Sequence, residues 1–378
     1  MVSQYKQKIL LYLGKFPGYG SDIDGGSILA KQLIDTLKNC CELDVVFIRK
    51  NNEVLHDDAV NSIRYVQYKD AHENKFTRRL KNLETNQEAL DNYHLYDRII
   101  AAHTSKLFGF ENAPRTFWER TVLFPMFCTP SYIKAGESVP VEYTKQEAFV
   151  LANANLIITP SIEDKRTLIE SYHLNPERIK VIYRGIDPVF VYDHLAHHHS
   201  PPCIVYIGSI KKQKNNLDAI KVLQRVLELG TVAHLHLIGT IQDSDLYQSL
   251  IMHIESHKLK EFVHFHIGLT QIEVAQLLRQ MDVNISVSNW ETFGRGIFEG
   301  ACMGLPTIAY SQLTVVSEIC KGNQGVVFVD SVNEMADMIV ALLHDDNLFT
   351  QKTQDLSQLA ERLSYQNEKR ELIQSLLS

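Results

Sequence analysis

Glu291 and Glu299 lie in the stretch WETFGRGIFEGACMGLP, with Phe293, Gly294, Arg295 and Gly296 between them. A helix beginning near Gly296 would leave the amides of its first turn open, and with the helix dipole these attract an anion such as a diphosphate. Glycine there lets a ligand approach the backbone closely. Glu291 precedes that helix and Glu299 lies about one turn inside it, so the two carboxylates can accept hydrogen bonds from different parts of one ligand. Such a pair also arises by chance, and glutamate near a helix start is favoured by the dipole alone. The setting raises its weight. A strand is expected over 283–287 before it and another over 305–310 after it, and open α/β sheets bind ligands at the carboxyl ends of their strands.

Positioning such a site takes more than one ordinary core. At 378 residues the chain is expected to form two domains. Hydrophobic residues make up 45% and charged residues 22%, the balance of a folded chain rather than a disordered one. A net charge of -7 argues against a general nucleic-acid binder. No apolar run is long enough to span a bilayer, and MVSQYKQKILLYLGKF reads as a short strand rather than a signal peptide, so a cytoplasmic location is expected. Cys40, Cys41, Cys128, Cys203, Cys302 and Cys320 are scattered. They fit neither a zinc knuckle nor a disulfide framework and are expected to be reduced, mostly packing residues.

In the first half, a strand over 8–13 leads into GKFPGYGSDIDGGS and then a helical pattern from Ile28. Gly25 and Gly26 are the candidates for phosphate contact, with a plain flexible turn as an equal reading; no dinucleotide fingerprint and no Walker lysine is present. Strands over 44–48, 62–67, 97–102, 120–126, 156–159 and 180–183 alternate with helices, and His103 stands at the end of one of them. Taken alone, such a histidine is more often structural. A polar helical stretch over 71–92 carries Lys75, Arg78, Arg79 and Lys81, a surface for anionic lipid heads or an acidic acceptor, though a solvated helix face is the commoner use. PSYIKAGESVPVEYTKQ reads as irregular, an acceptor loop, before a helix over 146–154.

The pattern fails over 188–202, which reads as a domain linker. Its His194, His197, His198 and His199 invite a metal reading, but without a second ligand cluster a solvated linker is favoured. The second half then restarts with strands over 203–208, 234–238, 262–267, 283–287, 305–310 and 325–329. In SIKKQKNN, after the first of these, Lys211, Lys212 and Lys214 stand at a strand end where cations can neutralise a diphosphate. The alternation throughout predicts parallel, doubly wound sheets.

GYGSDIDGG, ANLIITPS followed by KVIYRGID, YIGSIKKQKN and above all ETFGRGIFEGACMGLP together resemble the GT4 family of retaining glycosyltransferases, over nearly the whole chain. The resemblance implies an α/β architecture of the GT-B type: two Rossmann-like, doubly wound parallel-sheet domains facing a central cleft. It implies an acceptor-binding domain over 1–187, a linker over 188–202, a nucleotide-sugar donor domain over 203–363, and a segment over 364–378 that packs back on the first domain. His103, Glu291 and Lys214 become the expected catalytic residues. Lys214 would hold the diphosphate, Glu291 a hydroxyl of the donor sugar, and His103 would contact that sugar near the reacting centre. Gly25, Gly26, Ser209, Ile267, Phe293, Gly294, Arg295 and Glu299 become the donor-binding set, with Glu299 on the ribose, Ile267 offering backbone bonds to the base, and the amides around Phe293, Gly294 and Arg295 on sugar and phosphate.

Departures from the family pattern stand at four places. Ser209 replaces an arginine, so that Lys211 or Lys212 stands in or the diphosphate is held more weakly. Arg184 replaces an asparagine, SQLTVVSEI replaces a glycine pair before Glu318, and Gly300 replaces an alanine, a change expected to matter little between two small residues. The implied reaction moves a hexose or N-acetylhexosamine from a nucleotide diphosphate sugar, a UDP-sugar by preference, to a hydroxyl on a sugar, lipid-linked or protein acceptor, in glycan, glycoprotein or glycolipid synthesis. It implies no metal and no cofactor besides the nucleotide sugar as co-substrate, no nucleic-acid partner, closure of the domains during catalysis, and peripheral contact with the inner membrane face. A nucleotide-sugar epimerase and a non-catalytic subunit of a glycosylation complex are the alternatives; a dinucleotide-dependent dehydrogenase lacks its fingerprint.

Overall fold

The computed structural model describes residues 6–13, 25–49, 62–67, 74–80, 92–134, 136–192 and 199–377. The chain divides into two compact units, Met1–Ile182 with Lys369–Ser378, and Tyr183–Glu368. Among the described residues the first builds a seven-stranded sheet from β1 (Lys8–Leu13), β2 (Glu42–Arg49), β3 (Ser62–Gln67), β4 (Arg98–Ala102), β5 (Thr121–Phe124), β6 (Leu156–Thr159) and β7 (Ile179–Val181), in the order β3-β2-β1-β4-β5-β6-β7. The second builds a six-stranded sheet from β8 (Cys203–Ile207), β9 (His234–Gly239), β10 (Val263–Ile267), β11 (Val283–Ser286), β12 (Thr307–Tyr310) and β13 (Val326–Val329), in the order β10-β9-β8-β11-β12-β13. Every strand pair is parallel.

The strand sequences explain the layering. A parallel strand covered on both faces must be apolar on both, and KILLYL is. Ile9, Leu11 and Leu13 enter one core with Leu29, Leu33 and Leu37 of the helix Gly25–Leu37, while Leu10 and Tyr12 enter another with Phe108 and Tyr143. Strand β8 divides in the same way, Ile204 and Tyr206 to one side and Val205 to the other. In each sheet the chain winds outward from a central strand and then returns to that strand's other side, so the order reverses between β1 and β4 and between β8 and β11. Crossovers leave those two gaps uncovered at the carboxyl ends, where doubly wound sheets accept ligands.

Several elements differ from the sequence expectations. PSYIKAGESVPVEYTKQ is not irregular: it holds the helix Thr129–Lys134 and the start of the helix Val141–Asn153. Pro130 lies in the first turn of one and Pro140 caps the other, positions where proline's missing amide costs no hydrogen bond. Of the basic stretch over 71–92, the described part is helical over Lys75–Leu80, and Lys81 lies outside the described residues. The helix expected from Ile28 already begins at Gly25. All six cysteines are free thiols, and no helix among the described residues is long and apolar enough to cross a membrane.

The passage between the units lies at Ile182–Tyr183. Ile186 and Phe190 are buried in the second unit's core, with Tyr183, Val189 and Tyr192 packed on it, and Ile186 pairs with Ser364. A Cβ on Gly185 would stand 2.6 Å from the Tyr365 Cα, so only glycine allows this close crossing. The helix Tyr365–Leu376 carries the chain back, and Leu372 and Leu376 are buried in the first unit's core. His194, His197 and His198 lie outside the described residues. His199, read as part of a solvated linker, is instead anchored: its amide and its Nδ1 meet Asp282 Oδ1 at 2.9 and 3.0 Å.

Asp282 is fully buried and also accepts the Cys203 amide at 2.6 Å, which fixes the entry into β8. Asp282→Ala strips both amides of their acceptor, a loss of about 1–3 kcal/mol. A urea midpoint for the second unit equal to wild type would contradict this role.

Candidate functional site

The loops leaving β8 and β11 meet at the reversal of the second sheet and are laced together by backbone contacts. The Asn289 amide donates to the Gln213 carbonyl at 2.9 Å, Gln213 Nε2 donates to the Trp290 carbonyl at 2.9 Å, and Asn289 Nδ2 donates to the Lys212 carbonyl at 3.2 Å. Beneath them, the buried Tyr206 hydroxyl donates to the Lys214 carbonyl at 2.5 Å and shares a 3.0 Å hydrogen bond with Ser288 Oγ. Burial, with the Glu291 charge nearby, pushes this phenol up, so it stays a neutral donor. At Gly208 a Cβ would lie 3.1 Å from the Tyr206 hydroxyl and 3.3 Å from the Lys214 Cδ; glycine leaves room for the lysine stem.

This scaffold brings Lys214 Nζ to 2.5 Å from Glu291 Oε1, with the two side chains 17% and 9% exposed. An ammonium has three donors, and Glu291 is its one partner among the described residues. Two donors are left for an anion.

The helix Arg295–Cys302 starts immediately beyond. Gly294 caps it at φ 88°, a conformation that favours glycine. The first amides to find acceptors are those of Ile297 and Phe298, on the Gly294 carbonyl at 2.9 and 3.2 Å, so the Arg295 and Gly296 amides point out of the helix start as donors. A Cβ on Gly296 would collide with the Ile207 carbonyl oxygen and lie 2.8 Å from the Ile207 Cβ, so the helix start is pressed against the end of β8. Open amides and the Lys214 ammonium thus share one rim of the sheet.

Gly300, expected to be interchangeable with alanine, is not. Its Cβ would lie 2.5 Å from Asn284 Cγ and Nδ2. Asn284 is fully buried on β11, where Nδ2 donates to the Ile297 carbonyl at 3.0 Å and to Thr307 Oγ1 at 3.2 Å. Even a methyl group there must displace the side chain that ties the helix to the sheet.

Glu299 is 7% exposed. Burial raises its carboxyl above the usual range, Arg295 and Lys214 oppose the shift, and Asp187 adds to it. The Phe293 ring is buried against Phe298, 5.0 Å between centroids, so Phe293 can serve a ligand only through its backbone. Arg295 Nη1 is buried with no hydrogen-bond partner among the described residues. Ser209 Oγ shares a 3.1 Å hydrogen bond with Thr240 Oγ1, a neutral pair that supplies none of the charge of an arginine. Ile267 ends the edge strand β10 and is 43% exposed, followed by Gly268 at φ 75°. Arg184, unexpected in place of asparagine, is matched by the buried Glu368: Nη1 stands 3.4 Å from Oε1, and Oε2 accepts the Gly185 amide at 2.9 Å. Glu318 accepts from the Tyr183 hydroxyl at 3.0 Å.

In the first unit, His103 follows β4 and holds φ 107°, strain of a kind that clusters at functional sites. The Ser105 amide donates to its Nδ1 at 3.1 Å. Nδ1 is therefore the acceptor, and Nε2 carries the proton that it offers to the Tyr132 hydroxyl at 3.2 Å. Burial, then the charges of Arg79, Lys106 and Lys75, hold its pKa well below the ordinary value, so the ring is neutral at physiological pH. Gly25 and Gly26 open the helix Gly25–Leu37; the loop over 14–24 before it lies outside the described residues. A cavity of about 550 Å³ lined by Glu111, Trp118, Phe149 and Arg178 lies by the residues that enter β5 to β7, at their amino ends, away from His103. Among the described residues no group of three or more His, Cys, Asp or Glu could hold a metal ion.

The structure thus assembles Lys214, Glu291, Gly294, the amides of Arg295 and Gly296, and Glu299 in the second unit, with Ser209 and Ile267 on neighbouring strand ends. His103, Gly25 and Gly26 belong to the first unit. Sequence reasoning missed Tyr206, Gln213 and Asn284 as supports and Tyr132 as the partner of His103. The one signal for Tyr206 was a tyrosine inside an otherwise aliphatic strand beside Gly208.

Residues 193–370 match the family model for glycosyl transferases group 1, and residues 23–190 match that for glycosyltransferase family 4. No curated protein sequence matches the chain. Among solved structures it is similar to a sucrose-phosphate synthase from Thermosynechococcus elongatus, at 16% identity and a TM-score of 0.77 over 98% of each chain. It is also similar to the Anabaena protein HepE in complex with UDP and glucose, at 17% identity and 0.72 over 99% of this chain and 100% of that one. A glycosyltransferase from Rickettsia africae gives 17% and 0.69 over 98% of each chain. At such identities the likeness establishes the fold, which is GT-B.

Two outcomes follow from the site's packing. Gly300→Ala is expected to destabilise the second unit by about 1–3 kcal/mol, read as a lowered denaturant midpoint; an unchanged midpoint contradicts the contact with Asn284. Burial raises the Glu299 pKa, so the folded chain holds that proton more tightly than the unfolded one. The carboxyl is therefore neutral in both states at low pH, and its cost to stability grows as pH rises above the unfolded value of about 4.3. Glu299→Gln should melt higher than wild type at neutral pH, with the gap closing below about pH 4; a gap independent of pH contradicts this.

Proposed function

Because this chain belongs to the GT4 family of glycosyltransferases, we propose that it moves a hexose or N-acetylhexosamine from a nucleotide diphosphate sugar to a hydroxyl acceptor with the anomeric configuration retained. The observation that carries the reading is the Lys214–Glu291 pair at 2.5 Å beside the open amides of Arg295 and Gly296: cationic donors for a diphosphate and a carboxylate for a sugar within one rim. UDP is the favoured carrier, since the similar Anabaena protein holds UDP and glucose. Glu299 accepts from the ribose hydroxyls, the exposed end of β10 at Ile267 borders the base, and Gly25 and Gly26 serve the phosphates from the first unit.

As the bond from the anomeric carbon to the phosphate oxygen breaks, negative charge grows on the departing diphosphate. Lys214 and the helix amides are donors already in place for that charge. Glu291 holds a sugar hydroxyl and stabilises the positive charge developing at the ring. The acceptor hydroxyl attacks from the face that the diphosphate leaves, its oxygen bonds to the anomeric carbon, and its proton passes to the departing phosphate oxygen. No protein nucleophile and no divalent metal enters this scheme. His103, neutral and with its proton on Nε2, offers a hydrogen bond to the donor sugar. The acceptor, a sugar or a lipid-linked or protein-borne group, belongs to the first unit, and a lipid-linked one would draw the protein to the inner membrane face as a peripheral protein.

Incubation with UDP-, GDP- and ADP-sugars and acceptor extracts, followed by the release of free nucleotide, tests the reading. Glu291→Ala should lower turnover by about 10²–10³-fold or more while the fold stays intact, and Glu299→Ala should chiefly raise KM for the donor. Near-normal turnover in Glu291→Ala would sink the assignment, as would failure of every nucleotide sugar to bind or turn over.

A further inference from the structure

Arg79 lies on the short helix Lys75–Leu80 beside His103, and its surroundings are unusual for a half-buried cation. Its Nη1 donates to the Tyr132 hydroxyl at 2.5 Å and to the Tyr143 hydroxyl at 3.4 Å, and its guanidinium lies 5.7 Å from the Tyr132 ring centre. Among the described residues it meets no carboxylate. A guanidinium has five donors in a planar fork, and among the described residues one nitrogen is used, which leaves the rest of the fork to other partners. Taking a charge partly out of water without a counter-charge is costly, which is why such arginines ordinarily hold a carboxylate or a phosphate.

Among the described residues, the carboxylates nearby are already committed. Glu137 is ion-paired with Lys75, whose ammonium also lies 4.8 Å from the Tyr132 ring centre. Glu147 is fully buried and accepts from Thr104 Oγ1 at 3.0 Å, from the Thr129 amide at 2.7 Å, and from the Tyr172 hydroxyl. Burial keeps the His103 imidazole neutral, and three cations, Arg79, Lys106 and Lys75, add to that effect. Beside a histidine expected at the reacting centre there is thus a positive field with an open guanidinium fork and tyrosine hydroxyls. Two parallel N–H donors match the oxygens of a phosphate, and Arg binds that group better than a point-charge ammonium does.

We propose that the acceptor carries a phosphate group and that Arg79, supported by Tyr132 and Tyr143, binds that group beside His103. The proposal deepens the transferase reading and rests on it for the word acceptor; the phosphate site itself stands on Arg79. It joins His103 to substrate recognition through Tyr132, whose hydroxyl receives from both.

Glucose 6-phosphate and glucose, and in parallel vesicles of phosphatidylglycerol and of phosphatidylcholine, are titrated against the full chain, with circular dichroism to confirm the fold of each variant. Binding of glucose 6-phosphate but not glucose marks a soluble sugar phosphate; binding of phosphatidylglycerol but not phosphatidylcholine vesicles marks a lipid-borne phosphate. In either case Arg79→Gln should weaken binding at least about tenfold, the loss of one charge-assisted hydrogen bond. Arg79→Lys, which keeps the charge without the fork, should fall between, and Lys214→Gln should leave the affinity unchanged. The proposal is overturned if neither phosphate probe binds, if glucose binds as well as its phosphate, if both Arg79 variants bind like wild type, or if the loss falls on Lys214→Gln, which would put the phosphate at the donor rim. Nucleotide release from nucleotide sugars, measured alongside, reports the transferase reading separately: its absence would leave the phosphate site standing without its role as an acceptor site.

Discussion

The ion pair between Lys214 and Glu291 is the contact on which the candidate site of the second unit depends. Both charges are largely withdrawn from water, and the desolvation of each is offset only if the partner is held in contact. The fold meets that demand by making the two residues neighbours across the reversal between β8 and β11, where no crossover covers the strand ends. Tyr206 fixes the Lys214 carbonyl from below and reaches Ser288 on the far loop, while the Asn289 amide donates to the Gln213 carbonyl and the Gln213 side chain to the Trp290 carbonyl, tying the two loops together. The pair is then a preformed cation with spare donors beside a preformed carboxylate, which is what a departing diphosphate and a sugar require of one surface.

Glycines set the distances around that pair. Gly239, Gly296 and Gly300 stand where a Cβ would strike Gly208, Ile207 and Asn284 respectively, and a Cβ on Gly208 would crowd Tyr206 and Lys214. Their common effect is to draw β8, β9 and the helix Arg295–Cys302 together at the carboxyl edge, so that open amides and the lysine share one rim. The compression has a counterpart in the carboxyls that the site keeps buried. Glu299 and Glu368 are both pushed up by burial, and Arg295 lies within electrostatic reach of each. Stability given up at such positions is a common accompaniment of a binding site.

Much of this was legible in the chain itself because the signals are local. Runs such as KILLYL and CIVYI, apolar on both faces and alternating with amphipathic helices, dictate a parallel doubly wound sheet, and ETFGRGIFEG declares a capped helix start with a carboxylate on either side. Lys214 was legible from its place after a strand and a glycine. What escaped depends on contacts between segments far apart in sequence. Nothing near Gly300 announces Asn284, and nothing near Arg184 announces Glu368, so one substitution read as neutral proves tightly constrained and one read as anomalous proves paired. PSYIKAGESVPVEYTKQ, read as irregular, hid its helices for a different reason: proline breaks a helix interior and suits its first turn, and only the surrounding packing decides which.

The first unit contributes a different chemistry, a neutral histidine held in a strained backbone within the field of three cations, while the proposed transfer rests on the anion-binding rim of the second unit. Calorimetric titration of UDP into wild type and Lys214→Gln addresses that premise most directly. UDP is expected to bind the wild type, and the variant to bind it at least about tenfold more weakly, with a flatter dependence on salt; equal affinity and equal salt dependence in the two proteins would contradict a diphosphate site at Lys214.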